Sequence, residues 1–354
     1  MPNTAPPAPG STTADSPQKP LRPAVVVLAA DTNPQKALHQ ALSAHGFVAV
    51  RNAGVGADLK ASAFASARSY FAQSTAIKLQ TVYNDTNANF GYQGMRSEAL
   101  DPNQPADEAD LKEAFTMRSL SNRSQPTESK DKTNLDSVWD DSEFGRIATA
   151  LHQRCSEVSQ HLLSLIAKAL GSDPDTFAPH HTGENMTLRY LHYPAPEHPT
   201  PSDDAKRGAN EKKMPQLGAG AHTDYGTITL LFSDGVAGLQ LYDKSASAPG
   251  ENTGRWRDVE VAPGDVLVNT GDLMSLWSNG CYPSTLHRVQ PRLSKPDRYS
   301  VAFFVDPDSS TRVSPLPSCI DKADDQDAHP TSTHVVVAGE HIQARIEASQ
   351  RTLA

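Results

Sequence analysis

The chain has 354 residues, a formal net charge of −9 and 37% hydrophobic residues. That length can bury a large core in one or two domains. The negative balance argues against nucleic acid or an anionic membrane as the main partner, and no apolar run reaches membrane-spanning length. The cysteines Cys155, Cys281 and Cys319 are far apart and odd in number, so neither a disulfide framework nor a zinc–cysteine site is expected. Such usage fits a reducing, cytoplasmic compartment.

Residues 1–23 are rich in Pro, Ser, Thr and Ala, lack the apolar stretch of a secretion signal, and are expected to form a disordered tail. AVVVLA (24–29) reads as a strand. Over 34–45 the spacing of Leu38, Ala41 and Leu42 predicts a helix, which Gly46 can close in the left-handed conformation. GFVAV (46–50) reads as a buried strand, and Phe64, Ala67 and Phe71 mark a second helix over 57–73. The polar stretch 119–136 reads as loop. The longest helical pattern follows at about 142–170, where Ile147, Leu151, Cys155, Val158, Leu162, Leu165, Ile166 and Ala169 recur at steps of three and four.

From about 184 the pattern changes to short strands between Gly, Pro and Asp turns. The segments are MTLRYLHY (186–193), GTITLLFS (226–233), GLQLYD (238–243), WRDVEV (256–261), DVLVN (265–269), STLHRV (284–289) and RYSVAFFV (298–305). Such a series predicts an antiparallel double-sheet jelly roll, so the fold class is mainly β with flanking helices, α+β. The insert 195–216 is polar and reads as a mobile loop or lid, its basic KRGANEKK (206–213) as solvated charge. A terminal helix is expected in VVAGEHIQARIEASQ. The implied organisation is a tail at 1–23, an N-terminal region at 24–135, a supporting helix and linker at 136–183, the jelly roll at 184–309, and a helix and tail at 310–354.

Two constellations carry chemistry. In His222-Thr223-Asp224 a spacing of two puts imidazole and carboxylate on one face of an extended segment, and His287 in STLHRV can supply a third donor. Two histidines and one carboxylate form the facial set of non-haem iron(II) sites, with the opposite positions open. On its own a His-x-Asp triplet is weak in a chain with 13 histidines, and a lone histidine is more often structural. In Arg298-Tyr299-Ser300 the same spacing aligns a guanidinium fork with a hydroxyl, a pair able to grip a carboxylate; an isolated Arg-x-Ser is more often a surface feature. His180-His181 reads as a solvated loop, and Trp256 and Trp277 as packing residues.

Taken together, HTDYGTITLLFSDGVAGLQLYD, RWRDVEVAPGDVLVNTGDLMSLWSNGCYPSTLHRV and RYSVAFFVDP resemble the signature of the 2-oxoglutarate and iron(II)-dependent oxygenases of the isopenicillin N synthase-like group. GFVAVRNAGV, GYQG and DLKEAFTM resemble that group's N-terminal region, with Ala53 where members usually carry histidine. The resemblance implies that His222, Asp224 and His287 bind Fe(II), and that Arg298, Ser300 and Tyr193 bind 2-oxoglutarate as co-substrate. Leu191 and His192 replace an Asn-Tyr pair common in plant members, so part of that hydrogen bonding is expected to differ. It further implies O2 as oxidant, ascorbate as a candidate reductant, and hydroxylation of a small organic substrate with release of succinate and CO2. Phe90, Tyr92, His192 and Phe304 are the candidates for the substrate pocket. A monomer or weak homo-oligomer is expected. The alternatives are an iron oxidase of the same fold that does without 2-oxoglutarate, and a non-catalytic sensor of a metal or small ligand.

Overall fold

A computed structural model of the protein describes residues 20–28, 33–83, 85–86, 88–101, 109–118, 139, 142–195, 217–246, 254–291, 296–320 and 335–350. The first strand, β1 (Val25–Val27), leads into helix α1 (Pro34–His45). Pro34 suits a first helical turn, and the Asn33 side chain accepts a hydrogen bond from the Lys36 amide at 3.0 Å. The helix stops at Gly46, whose φ of +66° is left-handed and whose missing side chain admits the Pro283 carbonyl oxygen. Strand β2 (Phe47–Arg51) starts at once, followed by α2 (Ala57–Phe71), the short α3 (Thr75–Lys78), β3 (Phe90–Gln93) and β4 (Glu113–Arg118).

The long helix α4 (Glu143–Ala169) is capped by Ser142, whose hydroxyl accepts from the Gly145 amide at 2.9 Å. Its apolar stripe, including Leu151, Cys155, Leu162 and Ile166, is fully buried. Then come β5 (Thr187–Tyr193), β6 (Ala219–His222), β7 (Ile228–Ser233), β8 (Leu239–Asp243), β9 (Arg255–Asp258) and β10 (Val266–Thr270). The remaining elements are α5 (Asp272–Trp277), β11 (His287–Val289), β12 (Arg298–Val305), β13 (Arg312–Val313), α6 (Pro317–Ile320), β14 (Val336–Val337) and α7 (Ala338–Ser349).

Eight strands form one sheet in the order β1-β2-β10-β7-β12-β5-β4-β3, antiparallel except for β1 and β2; four more form a second sheet, β6-β11-β8-β9. The larger sheet packs one face on α1, α2 and α4, and its other face encloses a smaller core with the four-stranded sheet, giving a jelly roll. Strand parity decides which side chains face which core. Along β5, Leu188 and Tyr190 enter the helix-side core, whereas Leu191 and Tyr193 enter the core between the sheets. Along β12, Val301, Phe303 and Val305 face the helices, and Ala302 and Phe304 face between the sheets.

Several expectations need revision. Leu21 is buried, and its backbone pairs with Asp258 and Glu260, so part of the segment read as tail is docked on the jelly roll. β3 and β4 go unpredicted, because neither shows a clean apolar alternation. Residues 119–136 and nearly all of the 195–216 insert, with the lid expected there, lie outside the described residues. His181 is no solvated loop residue: it is 1% exposed, with Nδ1 at 2.8 Å from the Phe177 carbonyl and Nε2 at 2.8 Å from Thr227 Oγ1. Burial pushes this imidazole down to about 4 and keeps it neutral.

The helix-side core is anchored by an aromatic cluster. Phe115 stacks on Trp139 with ring centroids 4.6 Å apart and meets Tyr70, Phe90 and Phe144 edge-on. Phe115→Ala would leave a cavity at a fully buried position and should lower the unfolding free energy by about 3–5 kcal/mol, checked by denaturant titration.

Candidate metal centre and its cavity

The histidines come from two strands paired side by side. In the four-stranded sheet His287 of β11 lies directly opposite His222 of β6, and their ring centroids are 4.3 Å apart. Asp224 follows β6 by two residues and turns its carboxylate toward them; one donor atom from each of the three residues lies within 4.8 Å of the others. His287 Nε2 and Asp224 Oδ1 are 3.8 Å apart.

Neighbouring groups orient each donor. His222 Nδ1 donates to the Gly220 carbonyl at 2.7 Å, and His287 Nδ1 donates to the Thr285 carbonyl at 3.1 Å. Because a carbonyl can only accept, the proton sits on Nδ1 in both rings and the Nε2 lone pairs are free. Burial, with His287 alongside, pushes His222 well below its ordinary value, so the ring stays neutral. Asp224 is fixed from the larger sheet: Thr229 Oγ1 of β7 and Asn269 Nδ2 of β10 both donate to Oδ2 at 2.6 Å, leaving Oδ1 toward the histidines. Two neutral imidazoles and one carboxylate that turns Oδ1 toward them suit a divalent iron.

Further along the same cavity lies the second constellation. Arg298 is 3% exposed and Ser300 2% exposed, and Arg298 Nη1 donates to Ser300 Oγ at 3.2 Å. Tyr193 pairs with Arg298 across β5 and β12, and the guanidinium carbon sits 5.0 Å from the tyrosine ring centroid. Among the described residues no carboxylate pairs with this guanidinium, and its Nε has no hydrogen-bond partner. A buried cation left this way is costly unless an anion joins it. A dicarboxylic acid with one end at the triad fits that need.

One continuous cavity is lined by the triad, Tyr193, Arg298, Ser300 and Phe304. Three of the four substrate-pocket candidates are corrected by strand parity. Phe90, Tyr92 and His192 face the helix side of the larger sheet, not the space between the sheets. Phe90 packs on Phe115 and Trp139; Tyr92 donates to Glu113 at 2.5 Å; His192 stacks on Tyr299 with its ring nitrogens at 2.7 Å from Glu113 and 3.0 Å from Asp297.

The cavity wall also holds residues not singled out from sequence. Arg189 pairs with Glu98 at 2.7 Å, and Lys112 pairs with Asp110 at 2.6 Å and with Glu98 at 3.2 Å. Asp110 in turn accepts from the Gly220 amide at 2.8 Å, bracing the strand that carries His222. Ile342 and Ile346 of α7 close another side, and Arg345 of the same helix donates to Thr223 Oγ1 at 3.1 Å. Arg189 shares parity with Leu191 and Tyr193, a signal the sequence does contain.

Comparison with known proteins agrees with this geometry. The model of the 2OG-Fe(II) oxygenase superfamily matches residues 182–307, and that of the non-haem dioxygenase in morphine synthesis N-terminal region matches residues 27–142. A 2-oxoglutarate-Fe(II) type oxidoreductase of Aspergillus fumigatus is 30% identical over 315 residues, covering 87% of this chain and 86% of that protein. The 2-oxoglutarate-dependent dioxygenase citB of Monascus ruber is 30% identical over 304 residues, covering 84% and 85%. The crystal structure of a full-length Neurospora crassa protein in complex with alpha-KG and thymine superimposes with a TM-score of 0.71 at 25% identity, covering 92% of this chain and 96% of that one.

Because Thr229 and Asn269 hold the spare oxygen of Asp224, Asn269→Ala should weaken Fe(II) binding by roughly 10–100-fold, with the fold retained. Anaerobic metal titration beside a circular dichroism spectrum checks this.

Proposed function

Because the chain belongs to the 2OG-Fe(II) oxygenase superfamily, we propose that His222, Asp224 and His287 are its iron ligands, and that Arg298, Ser300 and Tyr193 hold its co-substrate. The protein is a 2-oxoglutarate and Fe(II)-dependent dioxygenase that acts on a small molecule. With iron, 2-oxoglutarate and O2 bound, the cofactor set supplies the oxidation and releases succinate and CO2. The reaction proposed for this chain is hydroxylation. The organisation proposed with it is an N-terminal region at 24–135, a supporting helix and linker at 136–183, and a catalytic jelly roll at 184–309.

The observation that carries the co-substrate assignment is the buried guanidinium of Arg298, without a carboxylate partner among the described residues, in the same cavity as the triad. That guanidinium and the Ser300 hydroxyl can both donate to a carboxylate, and the Tyr193 ring flanks the guanidinium at 5.0 Å. The histidine tautomers set by Gly220 and Thr285 point both Nε2 atoms at one spot, so the metal would be held with its cavity side open. Leu231, Leu239, Val289 and Ala302 make the wall around the clamp apolar, which excludes water and strengthens the ionic grip. An oxidase of the same fold would have to pair that guanidinium with a carboxylate of its own substrate, and succinate release that depends on added 2-oxoglutarate separates the two readings.

No helix among the described residues is long and apolar enough to cross a membrane. A cytoplasmic setting is part of the proposal, supported by Cys155, Cys281 and Cys319 forming no disulfide among the described residues.

Purified protein supplied with Fe(II), 2-oxoglutarate and O2 should release succinate, and Asp224→Ala should lose stoichiometric iron while keeping the fold. Retained iron in that variant would mean that a different carboxylate ligates. Arg298→Gln should raise the 2-oxoglutarate KM by roughly tenfold or more, from loss of a charge-assisted bidentate contact, and that of the primary substrate far less. Equal effects on both would count against the clamp.

A further inference from the structure

The alternation that puts Arg298, Ser300, Ala302 and Phe304 on the cavity side of β12 continues past the strand end to Asp306, which lines the same cavity as the triad. The carboxylate lies against Gly226, two residues from Asp224, and a side chain at 226 would collide with Asp306 Oδ1. Among the described residues the other charged groups of this wall are accounted for. Glu98 pairs with Arg189 and Lys112, Lys112 also with Asp110, Asp224 belongs to the triad, and Arg298 to the clamp. The Asp306 carboxylate has no hydrogen-bond donor there, and the favourable charge acting on it is Arg118, which is not part of the cavity lining. Phe304, Tyr225, Ile342 and Ile346 surround the same space with largely apolar surface.

We propose that Asp306 is a specificity-determining residue that accepts a hydrogen bond from a cationic or N–H donor group of the primary substrate, an amine or nitrogen heterocycle with an apolar body. This rests on the oxygenase function proposed above and names its substrate class. A carboxylate enclosed without a donor gains most from a charged or strongly polarised N–H, and it repels an anion. The place of Asp306 beside Gly226, two residues from Asp224, would seat the donor at the triad end of the cavity.

The test uses the full chain loaded with Fe(II) and 2-oxoglutarate under argon, with benzylamine, benzyl alcohol and benzoate as calorimetric probes. Benzylamine should bind roughly tenfold or more tighter than either isostere, and Asp306→Asn and Asp306→Ser should each cut that preference to within about threefold. Benzoate binding as tightly as benzylamine, no benzylamine binding, or a preference that survives both substitutions would overturn the proposal. The visible charge-transfer absorption of the iron–2-oxoglutarate complex is read in the same samples. Its persistence in both variants assigns a lost preference to Asp306, whereas its absence from the unsubstituted protein would sink the co-substrate assignment instead.

Discussion

Two sheets meet at one carboxylate. Asp224 leaves the end of a strand in the smaller sheet, yet its spare oxygen is gripped by Thr229 and Asn269 of the larger one. The histidines opposite it are fixed by strand register, His222 against His287, and by backbone carbonyls that dictate their tautomers. A site tied to both halves of a jelly roll keeps its geometry only while the two sheets keep theirs. Docking of Leu21 beside β9 and packing of Phe47 edge-on to His287 add to the same restraint from outside the catalytic segments.

The cavity that opens from this point is organised by charge. Among the described residues Arg298 at one end has no carboxylate partner, while the Arg189–Glu98–Lys112–Asp110 chain along the wall is compensated within itself. The first arrangement favours a ligand that brings its own carboxylate. The second is rigid scaffolding, and through Asp110 and the Gly220 amide it reaches the strand of His222. Helix α7 completes the enclosure with Ile342 and Ile346, held near the triad by the contact of Arg345 with Thr223.

What could be read from the amino-acid sequence follows from the same geometry. His-x-Asp and Arg-x-Ser were legible because spacing within a single extended segment fixes shared faces. The joining of His287 to His222 was not legible from spacing and came from resemblance, since register between strands far apart in the chain is a tertiary property. Phe90, Tyr92 and His192 stand on β3 and β5 with the parity of the helix-side face, a property that resemblance does not fix, since one residue's shift exchanges the two faces of a sheet. β3 and β4 escaped notice because β4 buries Glu113 on its helix-side face, with Lys78, Tyr92 and His192 around it, so the expected apolar alternation is absent. His181 likewise looks like a loop residue until its two hydrogen bonds in the interior are seen.

A crystal structure of the protein grown under argon with Fe(II) and 2-oxoglutarate is the most direct test of the central claim. It should show one metal on the Nε2 atoms of His222 and His287 and on an Asp224 oxygen, with the distal carboxylate of 2-oxoglutarate on Arg298 and Ser300. A metal enclosed by a full set of protein donors, or 2-oxoglutarate bound away from Arg298, would contradict it.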